Sequence, residues 1–232
     1  MVYMKLSIII PVYNEEKSIK KLLKIVENVK YEIPFQIIIV NDGSTDRTEE
    51  EILKMKNRIK NLKLISYPKN KGKGYAVRKG IENSETDIII IQDADLEYNP
   101  REIPNIIKPI IEGECKVVYG SRFLGKFNGM GFLNLFGNKF LTFMTSLLFK
   151  SKVTDMETCY KAIHKDIAKK LYLESNGFEI EAEITSKILK GEYKIKELPI
   201  SYIARSKGEG KKISWMDGIR NLKVLLKVRL NF

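Results

Sequence analysis

A series of short, isoleucine-rich runs separated by helix-period stretches constrains this chain more than any other feature. Leu6 to Ile10, Phe35 to Val40, Leu62 to Ser66 and Asp87 to Ile91 are near-continuously apolar. Strands of that kind belong to a mainly parallel sheet covered on both faces by helices, an α/β architecture. Such sheets gather their ligands at the carboxyl ends of the strands. Three of the runs stop there at polar clusters: Pro11-Val12-Tyr13-Asn14-Glu15, Asn41-Asp42-Gly43-Ser44 and Gln92-Asp93-Ala94-Asp95-Leu96-Glu97.

Between the runs the apolar period changes to that of a helix. The spacing of Ile19, Leu22, Leu23 and Val26 predicts a helix from about Glu15 to Val29, and Pro11 is expected to end the strand before it. Ser44 or Thr45 is expected to cap the next helix, in which Ile52 and Met55 face inward. Lys71-Gly72-Lys73-Gly74 leads into a third helix through Ile81, and Val117 to Tyr119 reads as a further strand.

The second half is organised differently. A Gly- and Phe-rich stretch, Phe127 to Gly137, precedes a helical stripe of Phe140, Leu141, Phe143, Met144, Leu147 and Leu148. Lys139 and Lys150 bracket an apolar run too short to span a bilayer, so this segment reads either as a core helix or as one lying in a membrane interface. Ser214 to Phe232 fits a basic amphipathic helix. Trp215, Ile219, Leu222, Leu226 and Leu230 fall on one face, with Arg220, Lys223 and Lys227 beside it.

The chain carries 41 Lys and Arg against 29 Asp and Glu, a formal charge of +12. That excess suits a phosphate-bearing substrate or the acidic face of a bilayer, and equally a solvated basic surface. His164 is the only histidine, which argues against His-based zinc sites and Ser-His-Asp hydrolysis. Cys115 and Cys159 form neither a metal-ligand pair nor a disulfide framework. No secretory leader pattern opens the sequence, so a cytoplasmic setting is the default expectation.

Asp93 and Asp95, alternating at a strand end, can converge on one hard divalent cation, Mg²⁺ or Mn²⁺, which would grip a diphosphate. A bare Asp-x-Asp is more often a loop that caps the next helix. The two companion clusters favour the functional reading, since Tyr13 can stack on a base, Glu15 can accept from ribose or base, and Asp42 from a base N–H. Lys71-Gly72-Lys73-Gly74 lacks the Walker pattern but sets a flexible basic turn nearby.

The ordered motifs IIIPVYNEE (8–16), IVNDGSTDRT (39–48), NKGKGYAVRKG (70–80), QDADLEYNP (92–100), YGSRF (119–123), TDMETCYK (154–161), GFEIEAEI (177–184) and ELPISYIARSKGEGKKI (197–213) cover nearly the whole chain. Together they resemble family 2 glycosyltransferases, specifically the dolichyl-phosphate mannosyltransferase-like branch. The resemblance implies a GT-A fold. A glycosyltransferase domain would occupy residues 1–213, with a nucleotide-binding half over about 1–125, an acceptor half over about 126–213 and the amphipathic helix over 214–232. It further implies that Pro11, Tyr13, Glu15, Val40 and Asp42 hold the nucleoside of a UDP- or GDP-linked sugar. Asp93 and Asp95 would bind metal and diphosphate, Ala94 would contribute backbone, and Glu97 would be a further metal ligand. Arg122 would contact the donor and the acceptor phosphate, while Arg205 and Lys211 would close over the diphosphate. Asn41 and Glu97 depart from the family's frequent Asp and Gln.

The expected reaction is inverting transfer of a hexose to a polyprenyl phosphate at the inner membrane face, reached by interfacial helices or a membrane-protein subunit. A phosphate acceptor needs no general base, whereas a hydroxyl acceptor on a soluble glycan or protein would, and Asp155 or Glu157 could serve. Asp155 reads alternatively as a helix cap. A sugar-1-phosphate nucleotidyltransferase would need a Gly-rich turn where Pro-Val-Tyr-Asn-Glu stands. A non-catalytic basic membrane module would leave the acidic clusters unexplained, and no nucleic-acid-binding signature is present.

Overall fold

The computed structural model describes residues 4–205 and 215–230. Seven strands form one sheet in the order β3-β2-β1-β4-β6-β5-β7. They are β1 (Leu6–Val12), β2 (Phe35–Asp42), β3 (Leu62–Tyr67), β4 (Ile88–Ile91), β5 (Val117–Asn128), β6 (Lys161–His164) and β7 (Lys196–Ile203). The β3-β2-β1-β4 half is parallel throughout, as the apolar runs predict. β6 lies antiparallel between β4 and β5, and β7 is parallel to β5, so β6 alone runs against the rest. Every residue of β1 and β4 is buried, which is why alternation is missing from their sequences.

The helices are α1 (Ile19–Asn28), α2 (Thr48–Lys56), α3 (Lys73–Glu82), α4 (Ile103–Ile111), α5 (Phe132–Phe149), α6 (Lys165–Ala168), α7 (Ile180–Lys190) and α8 (Trp215–Leu230). Ile19, Leu22, Leu23 and Val26 of α1 enter the main core as expected. α8 lies against α7 and α5, and with them it closes a second core around Leu141, Val153, Met156, Ala182 and Leu225.

Several boundaries differ from expectation for local reasons. Pro11 does not end β1, because it pairs with Val40 on β2 while the ladder to β4 stops at Ile9. Ile9 faces β4, its carbonyl accepting from Gln92 N. Pro11 has the same parity, so its missing N–H falls where β4 has already turned away. Residues 15–18 form a turn before α1, in which Thr48 Oγ1 accepts from Glu15 N at 2.7 Å and Ser18 Oγ donates to Glu15 Oε2 at 2.8 Å. Neither Ser44 nor Thr45 caps α2. Both bond to Asn14, and Asp46 Oδ1 accepts from Thr48 N at 2.9 Å instead.

The larger differences lie in the second half. β5 extends to Asn128, well beyond Tyr119, with a register shift against β7 between Ser121 and Lys126. α5 starts two turns earlier than the stripe suggested and buries only Leu141, Thr142 and Thr145. Phe132, Leu133, Phe136, Phe140, Phe143 and Leu147 are between 45% and 81% exposed, so α5 packs one face on the second core and leaves the other open. On α8 the inward residues are Asp217, Asn221, Leu225 and Val228, with Leu222 half-buried. Ile219, Leu226 and Leu230 of the expected stripe point outward with Met216. The Trp215 side chain lies outside the described residues.

Candidate active site

The carboxyl ends of β1, β2 and β4 bring the three polar clusters to one edge. Beyond β1, Asn14 takes a left-handed backbone (φ 53°), stabilised by Ser44 Oγ accepting from its N–H at 3.0 Å. Tyr13 is half-buried there, and Glu15 is nearly enclosed. Pro11 and Val40 are buried, and the Val40 side chain points away from the edge into a small cluster with Ile38 and Ala76. Its backbone alone can serve a ligand.

At the end of β2, Asp42 is committed to the loop before α3. Its oxygens accept from Lys71 N at 2.9 Å and Gly72 N at 2.7 Å. Asn41 donates to Glu49 Oε2 at 3.1 Å, and Ser66 Oγ donates to the other Glu49 oxygen at 2.9 Å. A carboxylate in place of Asn41 would repel Glu49, which accounts for the amide here.

The next cluster follows β4. Gln92 is fully buried, its Oε1 accepting from Tyr160 OH at 2.6 Å and its Nε2 donating to the Asp93 carbonyl at 3.0 Å. That clamp fixes where Asp93 and Asp95 emerge, and Ala94 packs beneath them. Leu96 turns the chain with a left-handed backbone (φ 65°), a conformation a branched side chain adopts only under constraint. Asp95 Oδ1 accepts from Glu97 N at 3.1 Å. Burial, then the charges of Asp93 and Glu97, push the Asp95 carboxyl up to about 7. Carboxylates crowded in this way are expected of residues that receive a cation.

The three expected metal ligands are not equally available. Glu97 Oε2 accepts from Tyr202 OH at 2.6 Å and its Oε1 from Arg205 N at 2.8 Å, so this side chain ties the end of β7 to the acidic loop. Among the described residues, no three acidic, His or Cys side chains are arranged to hold a metal. Asp93 and Asp95 remain as the pair that fits a cation whose other ligands come from a diphosphate.

Arg205 reaches back across the edge. Its guanidinium donates to Glu15 Oε1 at 3.2 Å and Oε2 at 2.6 Å, and to the Asp95 carbonyl at 2.9 Å. It thereby joins the Glu15 end of the site to the acidic end. Lys211 lies outside the described residues.

Arg122, near the middle of β5, is 5% exposed and held by Asp155. Its Nε and Nη2 donate to that carboxylate at 2.8 and 2.7 Å, and its backbone N donates at 2.9 Å. Asp155 is therefore no helix cap. The guanidinium lies 5.2 Å from the Tyr202 ring and 5.6 Å from the Phe123 ring, and Lys139 of α5 approaches Phe123 from beyond. Glu157 accepts from Asn221 Nδ2 of α8 at 2.8 Å, and burial pushes its carboxyl up to about 7.

Sequence reasoning set the basic turn that carries Lys73 near the site but gave neither Lys73 nor Glu181 a role. Lys73 Nζ lies 2.8 Å from Asp93 Oδ1 and 3.0 Å from Glu181 Oε1. Two glycines place it. A Cβ on Gly72 would meet the Asn176 carbonyl oxygen, and one on Gly74 the Ser175 carbonyl oxygen at 2.5 Å, so only glycine lets the 175–177 loop press on the start of α3. The Gly-Lys-Gly pattern was the available signal.

A helix-covered sheet of this order, with acidic loops at the ends of its first, second and fourth strands, has the GT-A architecture. Glucosyl-3-phosphoglycerate synthase from Mycobacterium tuberculosis, solved with Mn²⁺, UDP and glucosyl-3-phosphoglycerate, superposes with a TM-score of 0.73 at 16% identity, over 97% of this chain and 80% of that one. The same enzyme with Mg²⁺ and UDP gives 0.73 at 18% identity, over 97% and 79% of the two chains. The pattern of Glycosyl transferase family 2 matches residues 7–172, and the chain belongs to that family. A dolichol-phosphate mannosyltransferase of Pyrococcus furiosus is 31% identical over 90% of this chain and 59% of its own length. The low-salt glycan biosynthesis hexosyltransferase Agl6 of Haloferax volcanii is 28% identical over 95% of this chain and 53% of its own. An uncharacterized protein of Methanocaldococcus jannaschii is 32% identical over 84% of this chain and 80% of its own length. The chain thus spans little more than half of the two named relatives.

Proposed function

We propose that this protein transfers a hexose, with inversion, from a nucleotide-diphosphate sugar to a polyprenyl phosphate at the cytoplasmic membrane surface. Residues 1–125 would serve the donor and 126–213 the acceptor. The observation that carries the lipid acceptor is the exposed apolar row of α5, Phe132 to Leu147, joined to the site through Lys139, Phe123 and Arg122. Outward Met216, Ile219, Leu226 and Leu230 of α8 extend the apolar surface, and Arg220 and Lys223 stand exposed beside them. Aromatic and aliphatic groups flanked by lysines suit the boundary between headgroups and acyl chains. Among the described residues no helix is long and apolar enough to cross a membrane.

Tyr13 and Glu15 take the base and ribose, with Asp42 holding the loop that closes the nucleoside side. Asp93 and Asp95 would hold a divalent cation, which would supply positive charge against the departing diphosphate. Arg205 is placed to leave Glu15 for that diphosphate. Arg122, kept charged and oriented by Asp155, offers its remaining edge to the acceptor phosphate. A phosphate oxygen attacks the anomeric carbon as the bond to the diphosphate breaks, and the acceptor is already ionised, so no proton must be removed. The dolichol-phosphate mannosyltransferase relative supports this acceptor, and the UDP complexes of the structural neighbours support the donor class.

The Glu157 carboxyl, held near neutral pKa, favours a second reading in which a hydroxyl acceptor is deprotonated there. One assay separates the two. The protein is incubated with phospholipid, polyprenyl phosphate, Mg²⁺ or Mn²⁺ and labelled nucleotide sugars, then extracted with chloroform–methanol. Label in the organic phase from one donor, lost in Asp95→Ala, is the expected result. Metal-dependent donor binding without organic-phase label would overturn the lipid acceptor.

A further inference from the structure

Lys73 already occupies the place where a cation is wanted. Its ammonium lies 2.8 and 2.9 Å from the two oxygens of Asp93. Behind it Glu181 pairs with Lys161, which also donates to the Thr158 carbonyl. Asp93, Lys73, Glu181 and Lys161 therefore form a row of alternating charges with no net charge, running inward from the edge. The Lys161 side chain is fully buried and that of Lys73 is 13% exposed. Burial acts against the Lys73 charge, but Asp93 and Glu181 more than offset it and hold its pKa well above the ordinary value.

This arrangement leaves a bare divalent ion poorly served. Glu97 is engaged by Tyr202 and Arg205, and Asp93 by Lys73, so among the described residues Asp95 is the one carboxylate of the three not already held by a cation or by β7. Hard dications need about six oxygen ligands. A cation arriving alone would have to displace an ammonium from a weakly screened ion pair.

We propose that Lys73 is an internal competitor for the metal, holding Asp93 until a nucleotide diphosphate brings the cation, so that metal enters with nucleotide and not before it. The inference rests on the cation reading of Asp93 and Asp95 given above. Glu181 supplies the place to which Lys73 withdraws. Its buried Oε1 lies 3.0 Å from the Lys73 ammonium, so a second ion pair for Lys73 already stands on the inner side. A small shift of the ammonium towards Glu181 gives up Asp93 without leaving Lys73 unpaired, and frees a carboxylate. When the nucleoside diphosphate and metal leave, the ammonium returns, so the site resets without retaining a bound ion.

Mn²⁺ binding followed by electron paramagnetic resonance of the free ion tests this without turnover. Wild type is expected to bind Mn²⁺ at least about tenfold more weakly alone than with UDP or GDP. Lys73→Met and Lys73→Gln are each expected to bind nucleotide-free Mn²⁺ about tenfold more tightly than wild type, as loss of a like charge a few ångströms away predicts. Adding Asp93→Asn to Lys73→Met should abolish the gain. Circular dichroism and melting establish that each variant is folded. Unchanged nucleotide-free affinity in the folded Lys73 variants, with nucleotide still recruiting Mn²⁺ to wild type, would overturn the competitor role and leave the proposed function standing. No Mn²⁺ binding by wild type with either nucleotide would overturn both.

Discussion

Arg122 and Asp155 are joined by two side-chain hydrogen bonds and a third from the Arg122 backbone, and both are buried. Removing one partner strands the other in a medium that cannot solvate it. Asp155→Ala should therefore lower stability by about 3–5 kcal/mol in urea denaturation, and Arg122→Met combined with Asp155→Leu should recover much of the loss. Glu157 predicts a pH effect. Its carboxyl sits near 7 in the folded protein against an ordinary value of 4.5. The unfolded chain thus releases its proton first, and the folded form binds more protons between these values. Stability from this group is complete below about pH 4.5 and declines as pH rises towards 7. Glu157→Gln should remove that decline and raise stability at pH 8 by on the order of 2 kcal/mol, seen in denaturation curves across pH. At this scale the sequence exposed the acidic clusters, because carboxylates crowded after an apolar strand repel one another unless a cation joins them. It set the turn of Lys73 near the site but hid what that lysine binds, since a lysine between glycines looks like a solvated loop charge until the chain around Glu181 folds against it. It hid the Asp155–Arg122 pair for the same reason, as partners 33 residues apart leave no local pattern.

Among the elements, the parallel strands were readable because burial on both faces leaves unbroken apolar runs. β6 was not. Lys161-Ala162-Ile163-His164 carries two polar ends, and its Lys161 is buried only because Glu181 neutralises it. The buried face of α8 departs from the expected stripe for a related reason. Asp217 and Asn221 point inward, with Asn221 bonded to Glu157, while apolar residues face out. A helix that buries polar groups and exposes leucines defeats a rule based on hydrophobic stripes. α5 is the element whose exposed side carries the argument about lipid. Phe136→Glu with Phe143→Glu should leave stability within about 0.5 kcal/mol of wild type, since both rings stand in solvent. The same variant should lose sedimentation with phospholipid vesicles. A large stability loss instead would mean that these rings pack against protein.

For the molecule as a whole, a charge of +12 acts together with the apolar faces of α5 and α8. Binding to vesicles containing anionic lipid should weaken several-fold when salt rises from about 0.05 to about 0.5 M, because the Debye length shrinks from roughly 14 to roughly 4 Å. Vesicles of neutral lipid should show weaker binding that responds little to salt, which isolates the apolar contribution. The lone reversed strand, β6, has a consequence of another kind. β5 leaves the sheet at the ligand-bearing edge, and β6 re-enters from that same edge. Everything between them, α5 and the Asp155–Glu157 loop included, hangs from the sheet as one excursion, pinned at its return where Tyr98 OH accepts from Cys159 N. Such an excursion can be lengthened, shortened or replaced without rethreading any strand of the parallel half. On the proposed function, the fold thereby separates the parallel half, which would grip the nucleotide, from an exchangeable cartridge that would set the shape offered to whatever receives the sugar.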